Sequence, residues 1–281
     1  MTFGKFAQAC GVLVEDLSPS HCIRRCGTTL KPKSKNGSYL FDGKRGWVQA
    51  WDGDGEIHFY GDKTEFTEAD KKEWAKRKRE AELQRDKVND TAALKAAILL
   101  RGTTMLNHAY LARKGFKEEL GFVDEAGRLL VPMRDCITND LRGLQAVEWI
   151  PDERKFTKKM QHGMKAKGAI FRIGNKTAFE AFLVEGYATG LSVAAACRQL
   201  RLNASVVCCF SDSNLVYVAS LIGGKKFIYA DNDVSLAGEK AAIKTALPYC
   251  MSDVVSEDAN DQHQRAGILS VCQKIIEVRR I

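Results

Sequence analysis

The sequence lacks the features that would place it in a membrane, in a secretory pathway or among nucleotide-driven motors. No apolar run approaches the roughly 20 residues that a membrane-spanning helix requires. The N-terminus has no basic stretch followed by an apolar one, so no secretory signal is predicted. A G-x-x-x-x-G-K-[ST] phosphate loop is absent as well. We therefore expect a cytoplasmic protein with no membrane contact and no P-loop motor of its own.

The nine cysteines form neither a disulfide framework nor a complete zinc site. Their number is odd, and Cys208 and Cys209 lie inside an apolar run, as buried thiols do. Cys22 and Cys26 form one C-x₃-C pair beside His21, but no second pair follows at the usual spacing. Because a structural zinc ion needs four ligands, the sequence predicts a reducing environment and no zinc.

Positive charge is in excess and is concentrated in two segments. The 43 Lys and Arg residues outnumber the 35 Asp and Glu residues, which gives a net charge of +8. The excess lies mainly in residues 71–87 and 154–172. This distribution favours a polyanionic partner, most commonly nucleic acid. The alternative is a basic surface without a specific partner.

The pattern along the chain divides it into four segments. Residues 1–62 alternate short β-like pieces with Asp-Gly and Asn-Gly turns, which predicts a small β-rich module. Residues 63–100 predict a basic helical linker of one long helix or two, and residues 101–176 a basic α+β segment ending in a basic loop. Residues 177–281 alternate strands with helices, which is typical of an α/β parallel sheet. The predicted strands after residue 100 span 128–132, 141–149, 180–185, 204–210, 225–230 and 250–255, and the predicted helices span 107–114, 188–200, 213–222, 236–247 and 262–279.

Two features of the first 100 residues leave their roles open. Aromatic residues between Tyr39 and Tyr60 are interleaved with lysines, and they either stack on single-stranded bases or form the core of a small sheet. The basic run around Trp74 either follows a phosphate backbone or forms a charged helix face. Thr67 and Asp70 predict a capping box where this helix begins.

Carboxylates end two of the predicted parallel strands, each just before a helix. Glu185 follows one apolar run and precedes Gly186, which lets the backbone turn sharply. Asp231 and Asp233 follow a second apolar run, and their i, i+2 spacing turns both side chains the same way. Because ligands bind beyond the carboxyl ends of parallel strands, we expect the three acids to meet at one edge of the sheet. Crowded carboxylates need a positive ion among them, and oxygen ligands favour Mg²⁺ or Mn²⁺.

Two further acids, Asp258 and Asp261, follow the last predicted strand. They either supply a second metal site, because two ions stabilise both the attacking and the leaving oxygen in phosphoryl transfer, or cap the helix that follows.

The motif Glu185-Gly186-Tyr187-Ala188-Thr189-Gly190, followed by Ala230-Asp231-Asn232-Asp233, resembles the TOPRIM domain, whose pattern is a Glu-Gly strand end and then an Asp-x-Asp strand end. That domain is shared by bacterial-type primases, type IA and II topoisomerases and some nucleases. The chain is most similar to the primases of plasmids and phages, through the segments 108–115, 130–135, 143–145 and 258–263. The resemblance covers about residues 100–270.

The resemblance implies an α/β fold in which a TOPRIM parallel sheet flanked by helices (177–281) follows the basic α+β half of a primase core (101–176), with a degenerate zinc ribbon at 1–62. It implies that Glu185 is the general base or metal-ordering acid, that Asp231 and Asp233 bind Mg²⁺ or Mn²⁺, and that Asp258 or Asp261 is an outer acidic ligand. It also implies that basic residues hold the template and the nucleoside triphosphates. The candidates are Arg113, Lys114, Arg134, Lys155, Lys158, Lys159, Lys165, Lys167 and Arg172.

We therefore expect a DNA primase that synthesises short primers on single-stranded DNA by two-metal phosphoryl transfer, with a separate replicative helicase as a further partner. Two alternatives remain open. One is a metal-dependent TOPRIM nuclease that uses the same acids, and the other is a non-catalytic replication accessory protein that binds single-stranded DNA.

Overall fold

The computed structural model of the chain describes residues 1–20, 22–61 and 68–281. This part of the chain contains eight α-helices and fifteen strands, a mixed α/β architecture. It forms two compact units, Met1–Asp86 and Lys87–Ile281. His21, the residue beside the predicted cysteine pair, and Thr67, the first residue of the predicted capping box, lie outside the described residues.

The first unit contains a five-stranded antiparallel sheet. Its elements are α1 (Phe3–Ala9), β1 (Val12–Leu13), β2 (Arg24–Thr28), β3 (Gly37–Phe41), β4 (Gly46–Ala50) and β5 (Ile57–Tyr60), and the strands pair in chain order. Phe3 of α1 stacks on Phe41 with ring centroids 4.4 Å apart, and it also contacts Tyr39. Trp51 and Phe59, in contrast, are 56% and 76% exposed. The aromatic residues of this module are therefore divided between its core and its surface.

A single helix, α2 (Glu68–Arg101), spans the segment for which one helix or two were predicted. The side chains described between residues 72 and 87 are almost all exposed, as expected of a charged helix face. Near the end of the helix Ala96 is buried against Leu130 and Leu144. None of the described helices combines the length and the apolar composition that crossing a membrane requires.

The second unit is built on a ten-stranded mixed sheet. Its elements after α2 are β6 (Thr104–Asn107), α3 (Ala109–Arg113), β7 (Leu120–Val123), β8 (Leu129–Asp135), β9 (Leu141–Ile150), β10 (Lys155–Met160), β11 (Ala169–Ile173), β12 (Glu180–Val184), α4 (Tyr187–Gln199), β13 (Ala204–Cys208), α5 (Asp212–Leu221), β14 (Lys225–Tyr229), α6 (Ala237–Thr245), β15 (Tyr249–Cys250), α7 (Ala259–Ala266) and α8 (Ile268–Arg279). The order of the main path is β10-β9-β8-β11-β13-β12-β14-β15, and β7 and β6 extend from β8. Only β13, β12, β14 and β15 are mutually parallel, so the predicted parallel arrangement holds for four strands.

Helices cover both faces of the parallel strands. Phe182 and Phe227 point to the face that α4 and α8 cover, and Leu183 and Ile228 point to the face that α5 and α6 cover. Burial on both faces is the reason that these strands have continuous apolar sequences rather than alternating ones. A third core cluster, which includes Tyr110, joins the antiparallel strands to α4.

Three predicted elements differ from the structure. The basic loop at 154–172 instead contains β10 and β11, because Lys155–Met160 pairs along β9 and Ala169–Ile173 pairs with β8 and β13. The strand predicted at 250–255 overlaps the two-residue strand β15 only at Cys250. The helix predicted at 262–279 is interrupted at Gly267, whose φ of 79° is incompatible with a continuous right-handed helix.

Candidate functional site

Acidic residues follow three adjacent parallel strands at the same edge of the sheet. Glu185 follows β12, Asp231 follows β14, and Asp212 begins α5 shortly after β13. The strand order β13-β12-β14 sets these carboxyl ends side by side. We call Glu185, Asp212, Asp231, Asp233 and Asp258 the acidic cluster, because the charges of the other four raise the pKa of Asp231, and those of Asp212 and Asp233 also raise the pKa of Glu185.

Glu185 is half-buried between the backbone turn at Gly186 and the start of α5. The pKa of its carboxyl is raised to about 7, first by burial and then by the neighbouring carboxyl of Asp212. The ammonium group of Lys158 acts in the opposite direction and lowers that pKa. Glu185 is therefore in electrostatic contact with both a neighbouring acid and a predicted phosphate-binding lysine.

Asp231 is the least satisfied acid of the cluster. Its Oδ1 atom is buried and has no hydrogen-bond partner. Burial, followed by repulsion from Asp258 and Glu185, raises the pKa of this carboxyl to about 8. A buried polar atom without a partner is costly, so this oxygen marks a position where a ligand would be stabilising.

The backbone of Asp231 is held by the start of α6. Gly238 lies so close that a Cβ atom there would be 2.4 Å from the carbonyl oxygen of Asp231. Only glycine permits this approach. The next residue, Asn232, turns away as predicted, because its side chain is buried and donates to the carbonyl of Ser252 at 2.9 Å.

Asp233 has a different environment from Asp231, although both follow β14. Its carboxylate accepts hydrogen bonds from the hydroxyl of Ser235 and from the N–H groups of Ala237 and Gly238, both at 3.2 Å. These bonds, led by that of Ser235, lower its pKa. Asp233 therefore stays ionised next to Asp231 and holds the first turn of α6.

Asp258 and Asp261 have the second of the two roles that the sequence left open, because they form a capping box at the start of α7. Asp258 accepts from the N–H groups of Asn260 and Asp261 at 2.7 and 2.9 Å, and its other oxygen accepts from Thr189 of α4 at 3.0 Å. Asp261 forms an ion pair with Lys114 at 3.6 Å. Asp258 nevertheless contributes charge to the acidic cluster, whereas Asp261 is occupied by its partners.

Among the residues that the structure describes, no group of three or more His, Cys, Asp or Glu side chains is gathered closely enough to hold a metal ion as it stands. The members of the acidic cluster interact through charge rather than through a common centre. Like-charged carboxylates repel one another in a poorly solvated site, which is a sufficient reason for them to stand apart.

Two side chains from outside the parallel strands, one on β10 and one on α3, approach the acidic cluster. Lys158 of β10 lies over the ring of Tyr110 at 5.7 Å and is the cation that acts on Glu185. Tyr110 is only 3% exposed, and its hydroxyl has no hydrogen-bond partner. Burial raises the pKa of Tyr110 to about 12, which Lys114 partly offsets. A neutral hydroxyl and an ammonium group thus lie on the basic side of the cluster.

A cavity of about 620 Å³ lies beside Asp212. Ser211 and Ser213, the residues on either side of that acid, line it together with Lys167 and Tyr217. Lys167 lies 4.4 Å from the ring centroid of Tyr217. The volume falls within the range of roughly 300–1,000 Å³ that is typical of small-molecule sites.

The other predicted basic residues of this region lie farther from the acidic cluster than Lys158. Lys155 and Lys159 alternate with Lys158 along β10, so they point to the opposite face of the sheet. Lys155 pairs with Glu153, and Arg113 lies 6.0 Å from the ring centroid of Trp149. These cations surround the region without contacting the acidic cluster.

Three predicted contacts lie apart from the cluster. Arg134 is exposed and donates to the carbonyl of Asn139 at 3.1 Å, and Lys165 is exposed in the segment between β10 and β11. Arg172 lies near the amino ends of the parallel strands, where it donates to the hydroxyl of Ser205. The side chain of Arg172 therefore points away from the acidic cluster and into a different cavity, and its role in nucleotide binding stays a prediction.

Sequence reasoning missed Asp212 and the hydroxyl of Tyr110. Asp212 had the same signal that drew attention to Glu185, an acid between an apolar strand and a helix. Its strand was predicted to run to residue 210, so the acid was within reach of that argument. Tyr110 offered no signal, because an aromatic residue in a short helix is most often core.

Comparison of the chain with known protein families, with characterised proteins and with solved structures finds no match in any of the three.

Proposed function

We propose that the chain is a TOPRIM-type DNA primase that joins nucleotides on single-stranded DNA by metal-dependent phosphoryl transfer. The observation that carries this proposal is the buried, unpartnered Oδ1 of Asp231 within a cluster of acids at the carboxyl ends of parallel strands. Parallel sheets bind their ligands at that edge. The arrangement of four parallel strands with helices on both faces supports the interpretation of residues 177–281 as a TOPRIM domain.

The donor set fits a hard divalent cation. Asp231, Asp233 and Glu185 offer only oxygen ligands, which suit Mg²⁺ or Mn²⁺ rather than zinc. The unpartnered oxygen of Asp231 would gain the partner that it lacks. When bound, such an ion would neutralise the triphosphate and stabilise charge at the reacting phosphate.

The chain's own residues divide the remaining work. Lys158, at the border of the acidic cluster, would contact the triphosphate, because it is exposed and already in electrostatic contact with Glu185. Glu185 would accept the proton of the attacking 3′-hydroxyl. The cavity beside Asp212 would hold the incoming nucleotide, with Lys167 on its phosphates and Tyr217 against its apolar part.

Single-stranded DNA, nucleoside triphosphates and a separate helicase are the partners that this proposal implies. The exposed Trp51 and Phe59 of the first unit, with the guanidinium of Arg25 5.4 Å from the ring centroid of Trp51, support a stacking contact with single-stranded bases.

Primer synthesis tests the proposal directly. The purified chain is incubated with single-stranded template, labelled nucleoside triphosphates and Mg²⁺ or Mn²⁺, and labelled oligonucleotides are measured. Asp231→Asn should abolish synthesis, and Asp152→Asn, which changes an exposed acid outside the cluster in the same way, should not. Template cleavage without incorporation would identify a nuclease instead. Salt-dependent DNA binding without metal-dependent chemistry would identify the non-catalytic accessory protein.

A further inference from the structure

A second cavity lies at the opposite end of the parallel strands from the acidic cluster. It has a volume of about 210 Å³ and lies against the first residues of β12 and β14 and the start of β13. Its lining includes Arg172, Lys176, Ser205 and the Gly223–Gly224 turn. The proposed primase reaction assigns no role to this end of the sheet.

Arg172 is the feature that gives this cavity a chemistry. The side chain is half-buried, and its Nη1 donates to the hydroxyl of Ser205 at 2.9 Å. No carboxylate among the described residues forms an ion pair with it. Any nitrogen of Arg172 that lacks a hydrogen-bond partner is accessible rather than buried. A guanidinium has five N–H donors, so most of them are available to the cavity.

The rest of the lining is also deficient in negative charge. The single acid is Glu180, whose carboxylate is bound by Arg279 at 2.9 and 3.1 Å. The ammonium group of Lys176 lies at the rim and donates to the carbonyl of Ile137 at 2.6 Å. Phe179, 72% exposed, adds an apolar surface beside this rim.

A partly desolvated guanidinium without a counter-charge is unfavourable, and its planar pair of donors matches two oxygens of a phosphate. We propose that this cavity binds the phosphate group of a small molecule, either inorganic phosphate or a phosphomonoester. The guanidinium of Arg172 holds two phosphate oxygens, and Lys176 adds a point charge at the rim. Because the volume is below that typical of drug-sized ligands, the cavity admits the phosphate and leaves any ester substituent at the rim against Phe179.

An NMR titration in EDTA tests this site without involving the acidic cluster. The probes are inorganic phosphate and phenyl phosphate, added to the full chain labelled with nitrogen-15. We expect saturable shifts at the amides of Ser205, Gly223 and Gly224, with phenyl phosphate binding more tightly because its ring contacts Phe179. Saturation by neither probe would overturn the inference.

Variants separate specific binding from general attraction. Arg172→Gln should weaken binding by about tenfold or more, since a hydrogen-bonded charge contributes roughly 1.5–3 kcal/mol. Lys244→Gln, which removes an exposed charge on α6, should leave binding unchanged. If Arg172→Gln does not fold, Lys176→Gln at the rim provides the test instead, and it should weaken phosphate binding severalfold. Equal binding by the decisive variant and the wild type would refute the site.

Two further experiments identify the class of ligand and test whether the cavity binds phosphate independently of the acidic cluster. An oligonucleotide without terminal phosphate should not displace phenyl phosphate, and displacement would instead assign the cavity to a nucleic-acid backbone. Asp231→Asn should bind both probes as the wild type does. Loss of primer synthesis therefore leaves this inference standing, and loss of phosphate binding leaves the primase proposal standing.

Discussion

The substitution Asp231→Asn should stabilise the metal-free protein while it removes activity. The pKa of this carboxyl is raised from 3.8 to about 8 by burial and by the neighbouring acids. The folded protein therefore retains a proton that the unfolded chain releases near pH 4. Because the native state binds more protons, its stability falls as the pH rises between these two values.

The size of the effect follows from the same linkage. Each pH unit between the two pKa values costs about 1.4 kcal/mol, so the upper limit at pH 8 is roughly 6 kcal/mol. Rearrangement of Glu185 and Asp258, and entry of water, reduce this to about 2–3 kcal/mol. For a unit of this size that corresponds to roughly 5–10 °C in the unfolding midpoint.

Thermal unfolding in EDTA, followed by circular dichroism from pH 5 to pH 8, measures this difference. The midpoint of the wild type should fall with rising pH, and that of Asp231→Asn should fall less and be higher at pH 8. Adding Mg²⁺ or Mn²⁺ at pH 8 should raise the wild-type midpoint and leave that of the variant nearly unchanged. Asp152→Asn serves as the control for a surface acid. A wild-type midpoint equal to or above that of Asp231→Asn at pH 8 in EDTA would refute the reasoning.

Two other substitutions test the surroundings of the cluster. Gly238→Ala should destabilise the protein by about 1–3 kcal/mol in urea unfolding, because its Cβ would overlap the carbonyl of Asp231. Gly223→Ala is the control and should differ little from the wild type, because the added atom meets nothing within 4 Å. Similar unfolding midpoints for both variants would contradict the close approach of Gly238 to Asp231. Tyr110→Phe should raise the free energy of unfolding by about 1 kcal/mol, because it removes a buried hydroxyl without a partner. The same change at Tyr39, whose hydroxyl donates to the carbonyl of Asp16 at 2.8 Å, should lower it, and a loss of stability in Tyr110→Phe would show that its hydroxyl is satisfied.

The parallel part of the sheet was predictable from the sequence because burial on both faces gives each strand a continuous apolar run. Residues 180–185 and 225–230 were predicted within one residue of β12 and β14. The antiparallel half was harder to predict, because three of the six residues of β10 are lysines, and its pairing with β9 depends on backbone hydrogen bonds. Such long-range pairing leaves no periodic signal.

The sequence was sufficient to predict which acids lie at the candidate site, but not which of them are hydrogen-bonded and which are buried without a partner. The i, i+2 rule correctly separates Asn232 from its neighbours, yet it treats Asp231 and Asp233 alike. Their difference comes from α6, whose first N–H groups satisfy Asp233, and from Gly238, which covers Asp231. Nor does the sequence reveal that Arg172, whose backbone pairs opposite Val207, extends its side chain to Ser205 near the amino end of β13.

The hydrogen bond from the side-chain amide of Asn260 to the carbonyl of Lys114, 2.8 Å long, links residues 146 positions apart. It lies next to the core cluster in which Leu129 and Met133 pack with Tyr187 and Leu191. A break in the polypeptide near residue 176 would leave apolar surfaces on both products that only the other product covers. The two stretches on either side of that point therefore depend on each other to fold. Recombination that exchanged one without the other would yield a chain whose apolar core residues stay exposed.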